Sequence, residues 1–141
     1  MAVKKGASLP TGNRVSRGCK NGFDKGIVTS AAFELRTRRN EKELSSEWIE
    51  CHSVTPNEKN PKACATRQIT REYKPLKPQP FATLPVEDVR SISGLDVIYR
   101  PTKNIPCHCG ISGLTGDSLT DFSLQEKLAT LANNNEIIDR S

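Results

Sequence analysis

The sequence predicts a small single domain of the α+β class, with four to five short strands, a C-terminal helix and a flexible basic N-terminus. Three observations carry that prediction. The 141-residue length fits one domain and hardly two. Several short stretches alternate apolar and polar residues, the period of a half-buried strand, with turn residues between them. Near the end, Leu124, Leu128 and Leu131 with Ala129 and Ala132 share one face of a helix.

Residues 1–13 mix Lys, Gly, Ser, Pro and Asn with little apolar content and read as a flexible tail; residues 14–141 read as the domain. Arg14 to Cys19 alternates as a weak strand, and Asn21-Gly22 is a turn. Residues 26–35 begin β-rich and then admit either a helical turn or a strand. Leu44 and Trp48 point inward from the next strand, while Glu41, Glu43, Glu47 and Glu50 read as its solvent side and approach. A loop follows at 53–63, then a short helix from Pro61 to Tyr73. Pro75, Pro78 and Pro80 force an extended connector; its PxxP pattern reads as a stiff spacer rather than a ligand motif. A strand at Phe81–Leu84, a helical turn at 85–92 and a strand at Leu95–Tyr99 come next. Ser123 and Glu126 form a capping box that starts the last helix, over 124–132.

Composition excludes some classes. No stretch approaches the ~20 apolar residues of a membrane span. The charged start has no apolar segment behind it, so export by a signal peptide is not expected, and the expected location is the cytoplasm. The net charge is +5, unevenly placed. Residues 1–33 carry six basic groups against one acidic, and residues 51–80 six against two, whereas 81–141 carry five against eight. That division predicts one positive face, from residues 14–39 and 59–77, offered to an acidic protein or a nucleic-acid backbone. Its binding residues would be Arg17, Arg36, Arg38, Arg39, Lys62, Arg67 and Arg71. The aromatics Phe23, Phe33, Phe81, Phe122, Trp48, Tyr73 and Tyr99 are scattered and read as core.

Five cysteines, an odd number without regular spacing, read as reduced thiols. Both histidines stand beside cysteines, as Cys51-His52 and Cys107-His108-Cys109. Zinc would need ligands from Cys107, His108 and Cys109 joined by Cys51, His52 or Cys64. In an extended chain Cys107 and Cys109 share a face and His108 takes the other, so the tripeptide does not converge on one ion. No cofactor is therefore expected first, and a zinc-binding module through Cys107, His108 and Cys109 stands as a third reading. A catalytic reading keeps His108 as an acid–base group of a small hydrolase or transferase, with Arg17 or Ser112 nearby. A nucleophile from Cys107, Cys109 or Cys51 lacks a visible third group. Gly110, Gly113 and Gly116 precede a helix without Gly-Lys-Ser/Thr or G-x-G-x-x-G, so no phosphate loop is predicted.

Three blocks carry a resemblance: 27–36 (IVTSAAFELR), 43–50 (ELSSEWIE) and 106–111 (PCHCGI). In that order they resemble a group of small uncharacterised bacterial proteins with an "saAF" block, an "LS" strand and a late "HaxI" block followed by a helix. The resemblance implies a bacterial origin and makes His108 the late histidine. Cys107 and Cys109 depart from the small residues that flank it in the group. It implies no activity.

Overall fold

The structure is a computed structural model and describes residues 3–140. An antiparallel six-stranded sheet runs in the order β6-β7-β4-β1-β5-β8. The strands are β1 (Arg14–Gly18), β4 (Leu44–Trp48), β5 (Pro80–Pro85), β6 (Asp96–Tyr99), β7 (His108–Ser112) and β8 (Ile137–Asp139). A two-stranded ribbon of β2 (Phe23–Asp24) and β3 (Ile27–Val28) stands apart from it. The α+β class holds, with eight strands where four to five were expected. The additions come mostly from pieces of two or three residues, too short to show an alternation.

Register decides which side chains share a face. Val15 lies opposite Trp48 and Leu84, and Ser16 opposite Glu47, which in turn faces His108 on β7. One face therefore presents Val15, Arg17, Leu84, Trp48, Cys109 and Ile111, and the other Ser16, Glu47, Thr83 and His108. The first carries the main core. It is covered by α2 (Val86–Ser91), α3 (Ser118–Asn133) and a 3-10 turn at Ser30–Phe33, with Phe33, Leu44, Val89, Val97 and Leu128 fully buried. The second is covered in part by α1 (Pro61–Thr70), whose Cys64, Ala65 and Gln68 are buried; Gln68 donates to Ser16 Oγ. Asn60 caps α1 by accepting from the Ala63 N–H, and Pro61 takes the first helical position.

Several expectations are corrected here. The N-terminal segment is not a free tail: Leu9 is 1% exposed, and Gly6 and Leu9 donate to Tyr99 and Val97 carbonyls. It closes the open edge of β6, which is otherwise a row of unpaired backbone groups; residues 1–2 of that expected tail lie outside the described residues. The last helix starts at Ser118, so Ser123 lies inside it and makes no cap. Asp121 does the work at that end, taking the N–H groups of Thr115 and Gly116. The cysteines are not all reduced: Cys51 and Cys107 form a disulfide, while Cys19, Cys64 and Cys109 are free and buried. Tyr73 and Phe122 are 60% and 51% exposed, outside the core.

Candidate functional site

Two cavities gather the chemistry, one beside each face of the sheet. The first is a cleft of about 330 Å³ between the turn after β1 and the chain from Ala31 to Arg39. Gly22 allows its close packing: a Cβ there would stand 2.1 Å from Ala32 N. A 3-10 turn at Thr37–Arg39, stopped by Asn40 in the left-handed conformation Asn tolerates, brings Arg38 and Arg39, with Arg36 just before them, into the lining of the cleft. Arg17, Lys20, Arg36, Arg38 and Arg39 line this cleft, with Glu34 as the only acidic lining residue. Among the described residues Lys20, Arg36, Arg38 and Arg39 make no ion pair.

Arg17 forms the buried floor. Its Nε donates to Ala32 O at 2.9 Å and its Nη1 to Ser45 O at 2.7 Å, and the guanidinium lies 5.9 Å from the Phe33 ring centre. Burial pulls its pKa down, opposed by Cys19 and Glu41. Arginine still keeps its charge at neutral pH, so the floor stays positive.

The second cavity, of about 300 Å³, lies between the 53–58 loop, α1 and the 104–107 loop. Glu47 rises from β4 beneath it and is 3% exposed. Its two oxygens accept from Arg67 Nε at 3.2 Å and Arg71 Nη2 at 2.6 Å. Arg67 Nη2 also donates to Trp48 O, at 3.4 Å. Arg67 Nη1 is buried and has no acceptor, alone in this among the described residues. Val54, Ile105 and Pro106 supply the apolar wall, and the Cys51–Cys107 bond ties the two loops together. A third, shallower hollow runs along α1 past Lys62 and Arg67.

The positive face expected from 14–39 and 59–77 is therefore split. Arg17 projects from the Val15 face of the sheet, whereas Glu47, which holds Arg67 and Arg71, projects from the opposite one. Arg36, Arg38 and Arg39 join Arg17 in the cleft; Lys62, Arg67 and Arg71 belong to α1 and its end. The reason is topological: the chain following the 3-10 turn at Ser30–Phe33 and the helix α1 lie on opposite faces of one sheet layer.

His108 lines none of these three cavities. Its Nδ1 lies 3.0 Å from Arg100 O; a carbonyl only accepts, so Nδ1 donates in this contact. Arg17 is on the other face. Ser112 is four residues along the strand, about 13 Å away at ~3.3 Å per residue. Neither partner expected for an acid–base His108 stands beside it. Cys107 and Cys109 turn to the core face and His108 away, and the Cys107 sulfur is committed to the disulfide. Among the described residues no three His, Cys, Asp or Glu side chains are placed to hold a metal ion.

Glu47 and Lys20 are the residues sequence reasoning missed. Glu47 read as solvent-facing because the strand's other face was assigned to water. The signal against that was Arg67 and Arg71, two like charges four positions apart at the end of α1 whose repulsion a carboxylate between them relieves. Comparison with known proteins adds no assignment: no family model matches the chain, and no curated protein or solved structure matches it.

Proposed function

We propose that this protein is a binding or accessory protein, not an enzyme, that grips a nucleic-acid backbone in the cleft of Arg17, Lys20, Arg36, Arg38 and Arg39. The observation that carries the reading is charge convergence: five cations and one carboxylate line a single concavity, and four of the cations have no protein partner in an ion pair. Arginine forks suit phosphate oxygens, since each presents parallel N–H donors to two of them. Unpaired cations keep their attraction for an incoming anion, whereas Arg14, Arg67, Arg71, Arg90 and Arg100 are already paired.

The test is fluorescence anisotropy with labelled single-stranded and duplex DNA from 50 to 200 mM salt. Four phosphate contacts weaken binding roughly hundredfold across that range. Arg38→Glu with Arg39→Glu is expected to remove most of the affinity while leaving the melting curve in place. Binding that ignores salt, or ignores both substitutions, refutes the reading.

An acidic protein partner is the second reading, favoured by one observation. Leu119 and Phe122, 91% and 51% exposed, stand on the first turns of α3, and the Gly116 backbone just before them abuts Thr37 of the cleft. An acidic segment with an apolar anchor fits cations beside such a pair. A Leu119→Ser, Phe122→Ser variant that keeps DNA affinity but loses an acidic-hydrophobic peptide separates the two.

The cytoplasm is retained as the proposed location on the three buried free thiols Cys19, Cys64 and Cys109, and the Cys51–Cys107 bond is the observation that weighs against it. No helix among the described residues is long and apolar enough to cross a membrane. Denaturing alkylation of protein taken directly from cells tests the location. A Cys51–Cys107 bond already present there argues for an oxidising compartment instead.

A further inference from the structure

We propose that the cavity between α1 and the two disulfide-tied loops is a binding site for a carboxylate carried on a small apolar body. Four features of that cavity lead to this ligand, and none of them belongs to the cationic cleft.

First, an acceptor is missing. Arg67 places Nε and Nη2 on Glu47 and Trp48, while Nη1 is buried without a partner. A buried N–H left unpaired is costly, and nearly all such groups in folded proteins are satisfied. Second, the charge is unbalanced. Glu47 neutralises one of the two guanidinium groups on its oxygens, leaving one positive charge in the shielded part of the cavity. The remaining acid, Glu58, is at the exposed rim, where solvent screens it. Third, the opposite wall is apolar. Val54 and Ile105 are half-buried and face the same hollow, with Pro106 beside them. A neutral sugar or a phosphate alone gains nothing from that wall.

Fourth, the site is preformed. The Cys51–Cys107 bond ties the loop carrying Val54 to the loop carrying Ile105, and Ser53 Oγ rests 3.0 Å from the Cys107 sulfur. The ion pairs with Glu47 hold Arg67 and Arg71 in place before any ligand arrives. Holding both walls in the bound arrangement lowers the ordering cost of binding. At about 300 Å³ the hollow takes a body the size of one aromatic ring with a short arm, the low end of ligand cavities. The carboxylate sits against the excess positive charge where Arg67 and Arg71 share Glu47, and the ring lies on Val54, Ile105 and Pro106.

The chemistry has two sources, a free organic acid or the C-terminal residue of a peptide, and one experiment distinguishes them. Uniformly 15N-labelled protein is titrated with 3-phenylpropionate and, in parallel, with 3-phenylpropionamide, each to about 10 mM, where fragments of this size bind. A second pair is acetyl-Ala-Ala-Phe with a free C-terminus and its C-terminal amide. The expected result is saturable shifts of the backbone amides at 53–58 and 104–108, at least tenfold weaker for each amide than for its acid. A tighter acid peptide than free acid identifies a chain terminus; the reverse identifies a small molecule. Ile105→Asp, a loop substitution that leaves distant resonances in place, is expected to abolish the shifts, and Arg67→Lys to weaken them tenfold or more. The proposal is overturned if no saturable shift centres on those loops, if acid and amide bind alike, or if Ile105→Asp binds as the native protein does.

Discussion

Removing the disulfide is expected to lower the melting temperature by about 14 °C. The bond joins Cys51 to Cys107 across 56 positions. Closing a loop of that size in the unfolded chain costs about 14 cal/mol/K, or roughly 4 kcal/mol at 25 °C. A chain of 141 residues unfolds with an entropy near 0.3 kcal/mol/K at about 2.1 cal/mol/K per residue, and the quotient gives the shift. Both cysteines are buried, Cys51 at 0% and Cys107 at 3% exposure, so reductant reaches the native bond slowly and a variant is the cleaner perturbation. The assay compares thermal melts of the native protein and Cys51→Ala with Cys107→Ala by circular dichroism. Cysteines are counted beforehand by alkylation in denaturant. Three are expected to label before reduction and five after. A shift below about 3 °C with the bond demonstrably present refutes the loop-entropy argument. Five labelled residues before reduction refute the bond itself.

Three more perturbations test the polar interior. Glu47→Gln removes the charge shared by Arg67 and Arg71; because those side chains keep 24% and 15% exposure, the loss is expected at the low end for a broken buried pair, about 3 kcal/mol. It is read as a fall in urea midpoint with unchanged slope, and a change below about 1 kcal/mol means water already screens the pair. Burial pushes the Cys19 thiol up to about 11 and those of Cys64 and Cys109 to about 12, against an ordinary 9.0. The unfolded thiols ionise first, so stability is full below pH 9 and declines above it, and a urea midpoint that stays level from pH 8 to pH 10 contradicts this. Burial alone raises the Asp121 carboxyl, but hydrogen bonds from Thr115 N–H, Thr115 Oγ1 and Gly116 N–H outweigh it and hold the pKa below 3.8. That contribution is present above pH 3.8 and lost as pH falls further. Asp121→Asn is expected to cost about 1–2 kcal/mol at pH 7, and to flatten the acid limb of the stability curve.

Parts of this fold were legible because local pattern and tertiary environment agree. Val15 and Arg17 alternate with Ser16 as a strand, and Leu44 and Trp48 turn inward, because each of these strands has a large apolar neighbour across the sheet. Asn60-Pro61 opens α1 by side-chain chemistry that needs no partner. What escaped notice depends on distant residues. β7 hides behind Gly110, whose missing side chain leaves room for Glu43: a Cβ would stand 2.1 Å from its carboxylate oxygen. Leu9 is a lone apolar residue in a polar run, and only the open edge of β6 explains its burial. The odd cysteine count masked a pair 56 positions apart. Of the sites, the arginine-rich stretch from Arg36 to Arg39 was readable as a cationic element. The second cavity was not, since Glu47, Val54, Arg67 and Ile105 come from four separated segments.

Net charge proves a poor guide to a binding surface until the cations are sorted by partner. Arg14, Arg67, Arg71, Arg90 and Arg100 each lie against a carboxylate, and Arg17 spends its donors on Ala32 and Ser45 carbonyls. Four carboxylates offset most of the long-range field of the first group, with one charge over where Arg67 and Arg71 share Glu47, and burial fixes Arg17 as scaffold. What remains concentrated is Lys20 with Arg36, Arg38 and Arg39, within one hollow. Low-dielectric walls on one side and like charges on the other focus the field there, so attraction for an anion persists where a dispersed +5 would be screened within about 10 Å at 0.1 M salt. On the two proposed readings, the cavities differ by desolvation. Binding proposed for the open cleft would rest on charge that salt weakens, whereas binding proposed for the Arg67 site would rest on a shielded charge and an apolar wall that salt leaves largely intact. Salt dependence at one site and its absence at the other is the signature that distinguishes this arrangement from a uniformly basic surface.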